Sequence, residues 1–273
     1  MRMTVTVGVV VVGFVVNLLC GAGFAQASGS ASSYASSGEP ARAMIGTFVF
    51  EQGSALALEI EREEPCPCLC EPLFVTGLRV LDCEGNTVFT SEEVDGGTIF
   101  PVAFKEWTGC WGLVDQLGEP VAEGTYSVVV KTSIGEFRAC IQVVAPGMKS
   151  QMGRVSSKAL VCGVGLTIYR LADDKDDGGQ IALNEGERLM IALSGNATTG
   201  YEWEIEAEPH GGILQGIDGP GYRPSSTLIG AGGSFYFRYE AIAAGQGELT
   251  LVYRRPWEAA PPERTFTIIV LVR

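Results

Sequence analysis

Histidine is almost missing from this chain: His210, between Pro209 and Gly211, is the single imidazole in 273 residues. Any His-dependent catalytic triad would have to be built on it, and no nucleophile elbow, phosphate-binding loop or metal-binding helix accompanies it. Positive charge is scarce as well. Nineteen Lys and Arg stand against thirty-two Asp and Glu, a formal net charge of −13, so a phosphate backbone is repelled and nucleic-acid binding is excluded. The extended apolar run from Val5 to Leu19 falls short of the ~20 residues that a bilayer-spanning helix needs. What is abundant is turn chemistry: 36 Gly and 13 Pro separate many short apolar runs. That pattern points to an all-β architecture, and the length suits two domains.

Met1 to Ala27 reads as a secretory signal peptide, with Arg2 as the positive region, the Val5–Leu19 run, and Ala25-Gln26-Ala27 as a small-x-small cleavage site. An uncleaved anchor is the alternative. The expected location is therefore secreted or periplasmic, in the cell envelope, with no membrane association once the signal is removed. Export changes the meaning of Cys66, Cys68, Cys70, Cys83, Cys110, Cys140 and Cys162, since an oxidising compartment favours disulfide bonds. Seven is odd, and the six in the first domain allow fifteen pairings. In Cys66-Pro67-Cys68-Leu69-Cys70, residues two apart in a strand do not readily bridge one another, so distant partners are expected. A thiolate metal site is the alternative, but zinc spacing normally leaves two or more residues between paired cysteines. No metal and no cofactor are expected.

Residues 28–41 are rich in Ser, Ala and Gly and read as a flexible tether. A first sandwich domain is expected over 42–145, with strands at Thr47–Phe50 and Ala55–Ile60 and a hairpin from Leu78–Asp82 through Glu84-Gly85-Asn86 to Thr87–Phe89. Trp111-Gly112, then Asp115 and Gly118, then Gly124-Thr125-Tyr126, resembles the immunoglobulin-like module found in the flagellar hook-capping protein and in many bacterial secreted proteins. The resemblance implies a Tyr packed into the closing strands of a sandwich, and says little about function. Phe137 to Val144 reads as its last strand, and 146–158 as an interdomain linker.

The second domain, 159–273, alternates apolar and polar residues on strand after strand. Leu189, Ile191 and Leu193, then Phe235, Phe237 and Tyr239, then Leu249, Leu251 and Tyr253, then Phe266, Ile268, Val270 and Val272 argue a β-sandwich. Asp173 to Asp177 lacks the alternating oxygens of a calcium loop and reads as a solvated hairpin tip. Three turns stand out: Asn196-Ala197-Thr198-Thr199-Gly200-Tyr201-Glu202-Trp203, Gly230-Ala231-Gly232-Gly233, and Arg255-Pro256-Trp257.

In this order and at these separations the three turns resemble the chagasin family of cysteine-peptidase inhibitors, over roughly Leu160 to Arg273. The family pattern is Asn-Pro-Thr-Thr-Gly-Tyr-x-Trp, Gly-x-Gly-Gly and Arg-Pro-Trp, and here Ala197 replaces the first proline. The resemblance implies a secreted, non-enzymatic inhibitor whose partner is a papain-like cysteine peptidase. Asn196, Thr198, Thr199 and Gly200 would enter the active-site cleft over the catalytic thiol. Gly230, Gly232 and Gly233 would flank one side, and Arg255, Pro256 and Trp257 the other. Tyr201 and Trp203 read as core supports. Ala197 is expected to loosen the first turn. A structural or adhesive immunoglobulin-like envelope protein without inhibitory activity is the alternative function, and the oligomeric state is unknown from sequence.

Overall fold

The computed structural model describes residues 41–62, 75–91, 106–132, 135–148, 158–161, 164–226 and 228–273. The signal peptide, nearly all of the tether, Cys66 to Cys70, Cys162 and most of the 146–158 linker lie outside the described residues. The strands in the first half of the chain are β1 (Ala41–Glu51), β2 (Ala55–Arg62), β3 (Val75–Leu81), β4 (Thr87–Ser91), β5 (Glu106–Trp111), β6 (Gly124–Thr132) and β7 (Gly135–Val144). Those in the second half are β8 (Lys158–Val161), β9 (Val164–Asp173), β10 (Gln180–Leu183), β11 (Arg188–Gly195), β12 (Glu202–Ala207), β13 (Leu214–Pro224), β14 (Gly233–Ala241), β15 (Gly245–Arg254) and β16 (Arg264–Val272). The fold is all-β.

Three sheets result. One runs β1-β7-β6-β3-β4, one runs β10-β16-β15-β12, and a long one runs β13-β14-β11-β9-β2-β5 with β8 also paired to β9. The long sheet therefore takes β2 and β5 from the first half of the chain and joins them to the second half through the β2–β9 ladder, Ala55 to Arg62 against Leu171 to Val164. It supplies a layer to both cores. Leu56, Leu58 and Ile60 of β2, with Leu166 and Ile168 of β9, pack with Val80, Trp111, Tyr126, Val128 and Ile141. Farther along β9, Ala172 belongs to a second core with Leu189, Ile191, Trp203, Phe237, Leu251 and Phe266. Burial on alternating positions explains both, since successive side chains of a strand point to opposite faces.

Local chemistry explains the turns. The β3–β4 hairpin is held by the Asp82 carboxylate, which accepts from the backbone N–H of Glu84 and of Asn86 at 2.9 and 2.8 Å. The Trp111-to-Tyr126 signature is a packed unit: the two rings meet edge-on at 5.9 Å. Trp111 Nε1 donates to Val114 O, and the Tyr126 hydroxyl to Ala122 O, each at 2.8 Å. Between them the Asp115 carboxylate accepts from the N–H groups of Leu117 and Glu119. Cys83 and Cys110 are exposed free thiols.

Asp173 to Asp177 is an acidic turn whose carboxylates bind backbone. Asp173 and Asp176 cap a short 3-10 turn, Asp174 accepts from Ser194 N, and Asp177 accepts from Thr267 N.

Candidate functional site

β11 and β15 end, and β14 begins, at the same edge of the second core, and the three turns singled out in the sequence emerge there. The first begins where β11 stops. Asn196 is extended (φ −139°, ψ 97°), its side-chain Oδ1 accepts from Thr198 N, and Ala197–Thr199 forms a single 3-10 turn. Gly200 closes it at φ +79°, a left-handed conformation that suits glycine, and its N–H returns to Ala197 O at 3.1 Å. The two threonine hydroxyls also bind inward: Thr198 Oγ1 donates to Asn196 Oδ1 at 2.7 Å and Thr199 Oγ1 to Asn196 O at 2.6 Å. Both threonines are nevertheless exposed.

The second turn is tied to the first. Asn196 Nδ2 donates to Gly230 O at 3.0 Å, so one side chain braces both loops. Gly232 O accepts from the N–H and the hydroxyl of Ser225, at 2.8 and 2.7 Å, and the Tyr222 hydroxyl donates to Ala231 O. Gly233 already lies in β14, opposite both Gly195 and Pro224, where a Cβ would collide with Arg223 O. Its glycine is required by strand packing. At the tip of this loop Leu228 and Ile229 are 76% and 106% exposed, two bare apolar side chains that motif reading did not single out.

The third turn folds onto the first. Trp257 is 68% exposed, yet its indole covers Gly200 so closely that a Cβ there would lie 2.5 Å from Cη2. Arg255 Nε donates to Thr199 O at 3.3 Å, its guanidinium sits 4.6 Å above the Tyr201 ring, and Nη1 pairs with Glu258 at 2.8 Å. Pro256 is exposed between them. The hydrogen bond to Glu263 pushes the Tyr201 phenol above its ordinary pKa. Beneath the loops lies an aromatic floor: Tyr253 stacks on Tyr201 at 5.1 Å and packs against Trp203 at 5.3 Å, and Phe235 meets it edge-on at 6.3 Å. Trp203 is buried and Tyr201 half-buried, as core supports.

All ten sequence-selected residues thus gather at one end, from Asn196 and Thr198–Gly200 through Gly230, Gly232 and Gly233 to Arg255–Trp257. Residues 182–270, which contain all of them, match the family described as chagasin family peptidase inhibitor I42. The chain is 33% identical over 93 residues to Amoebiasin-1 of Entamoeba histolytica, covering 34% of this chain and 89% of that one. It belongs to the chagasin family. Chagasin of Trypanosoma cruzi is 33% identical over 84 residues, 30% of this chain and 76% of the relative. Among solved structures, the solution structure of Amebosin is 31% identical, covering 38% of this chain and 96% of that one with a TM-score of 0.32. Chagasin-family proteins are peptidase inhibitors, not enzymes.

The chagasin-family match begins within β10 and leaves out β1 to β9. It therefore excludes β2 and β5, although both are hydrogen-bonded members of the long sheet to which β11 and β14 belong.

Proposed function

We propose that this protein is a secreted inhibitor of papain-like cysteine peptidases that fills the active-site cleft with the three converging loops. The turn at Asn196–Gly200 covers the catalytic thiol, the Gly230–Gly233 loop borders one side of the cleft, and Arg255-Pro256-Trp257 borders the other. The observation that carries this reading is the convergence itself: Asn196 reaches Gly230 on one side while Gly200 underlies Trp257 on the other.

Inhibition follows from shape. A peptidase cleaves an extended segment, whereas Ala197–Thr199 is wound into a 3-10 turn held by five hydrogen bonds to Asn196 and Ala197. Straightening the turn would break them together. Loops ordered before docking also lose less conformational freedom on binding, which raises affinity for a given contact area. Trp257 supplies an exposed aromatic group of the kind that dominates interfaces. The Val5–Leu19 run and Ala25-Gln26-Ala27 support export.

The test is titration of papain with the full chain, because the matched segment shares its long sheet with β2 and β5. Stoichiometric loss of activity with the inhibitor uncleaved is the expected result, and Trp257→Ala should weaken the complex by about 2 kcal/mol, roughly 30-fold. Undiminished papain activity at micromolar inhibitor would favour the structural envelope reading.

A further inference from the structure

The ring of Tyr253 has an apolar place to be, but its hydroxyl leaves the core. Tyr253 is 5% exposed near the end of β15, and its oxygen accepts the backbone N–H of Asn196 at 2.8 Å, with Asn196 O 3.5 Å away. That N–H is the first peptide group after β11, where the chain leaves the ladder and the first turn begins.

The same side chain sits at the root of every loop. Its ring stacks on Tyr201, which follows the first turn, and meets Phe235, which follows the second. The third begins two residues beyond it. A Cβ at Gly195 would come within 3.0 Å of Tyr253 Cε2, so the glycine lets β11 approach the ring. Arg264 closes the stack, its guanidinium 4.3 Å over the ring. Packing of this kind needs only the ring; a phenylalanine would supply it. The hydroxyl does something else, since a buried phenol requires a partner and this one has a loop amide.

We infer that Tyr253 is a positioning residue for inhibition: its hydroxyl fixes the pitch at which the Asn196–Gly200 turn leaves the sheet, so that the turn is ordered before a peptidase arrives. Removing one oxygen leaves the aromatic floor intact and frees the first peptide of the turn. The ordering is then transferred to the binding step, where it opposes association. The inference rests on the peptidase-inhibitor reading for its consequence, but not for its geometry.

The experiment compares the full chain with Tyr253→Phe and with Val270→Ala, a fully buried position of β16 in the same core. Hydrogen exchange of residues 196–200 is followed in the free protein, and inhibition of papain in parallel. Tyr253→Phe should speed exchange across the turn and raise Ki about tenfold, with Tm lowered by only about 3 °C. Val270→Ala should lower Tm at least as far while leaving exchange in the turn and Ki unchanged. Unaltered exchange in Tyr253→Phe overturns the inference, as does an equal rise of Ki in Val270→Ala, which would make the effect one of stability. Faster exchange in a chain whose parent does not inhibit papain supports the positioning role and removes the peptidase reading instead.

Discussion

The carboxylate of Glu59 on β2 holds the guanidinium of Arg238 on β14 in a forked ion pair, Nη2 to Oε1 at 2.6 Å and Nε to both oxygens at 3.0 Å, with the side chains 0% and 6% exposed. In the hydrogen-bonded order β11 and β9 lie between those strands. On a flat sheet that separation is about 14 Å, beyond the joint reach of the two side chains, so the long sheet must curl to bring them together. The pair thereby ties a strand outside the chagasin-family match to one inside it.

Replacing Glu59 alone by Leu removes the Glu59 carboxylate from the buried guanidinium and should destabilise the fold by about 3–5 kcal/mol. Glu59→Leu combined with Arg238→Met, which removes both charges, should recover most of that loss. Urea unfolding of the two variants followed by tryptophan fluorescence measures the difference. A double variant as unstable as the single one would show that burial of the charge is not what makes the single change costly.

Most strands were legible because their burial alternates, as in Phe137, Ala139, Ile141 and Val143 of β7 or Phe266, Ile268 and Val270 of β16. The three turns were legible as motifs. β13 was not, because Gln215-Gly216-Ile217-Asp218-Gly219-Pro220-Gly221 carries Gly and Pro where a strand pattern should be, and its ladder to β14 shifts register twice. Glu59 was unreadable for another reason: a charge inside an apolar strand looks like its solvent face until a distant arginine is found opposite it. Ile205 is the reverse case. It continues the alternation of Tyr201 and Trp203, yet is 42% exposed where the β12–β15 register shifts. Nor do motif letters reveal that the threonine hydroxyls bind their own turn, or that Leu228 and Ile229 are bare.

Gly200 carries two demands at once. Any Cβ there meets Trp257, and an alanine must also adopt φ +79°. Trp257 is exposed and can swing aside, so Gly200→Ala should cost only about 1–2 kcal/mol of stability, the penalty of the left-handed backbone. Its effect on inhibition should exceed that of the strain alone, because the displaced indole no longer lies beside the turn. Thermal unfolding and Ki against papain, measured together, separate the two.

Acid should weaken the β3–β4 hairpin through Asp82. Hydrogen bonds from the side chain and backbone of Asn86 hold its carboxyl below the ordinary value. A group depressed in the folded state contributes its stability in full above the unfolded pKa of about 3.9 and loses it as pH falls through the folded one. Asp82→Asn removes this titration. Unfolding midpoints of parent and variant should differ at neutral pH and draw together as pH falls below the unfolded value, a convergence that acid titration of Tm detects.

Ala197 offers the most direct way to strengthen the turn. It is the first residue of the 3-10 segment, a position at which proline's fixed φ is already suitable and its missing N–H is little needed. The preceding residue must be extended for proline to follow, and Asn196 is, at φ −139° and ψ 97°. Because Asn196 also anchors Thr198 and Gly230, the ring would stiffen a conformation that side-chain hydrogen bonds hold in place. Ala197→Pro should therefore stabilise the fold by about 0.4–1 kcal/mol, chiefly by restricting the unfolded chain. If the turn docks as proposed, Ki against papain should fall by a similar free energy, about two- to fivefold. A gain in Tm with a weakened complex would mean that the turn must deform to bind, and that its stiffness opposes inhibition.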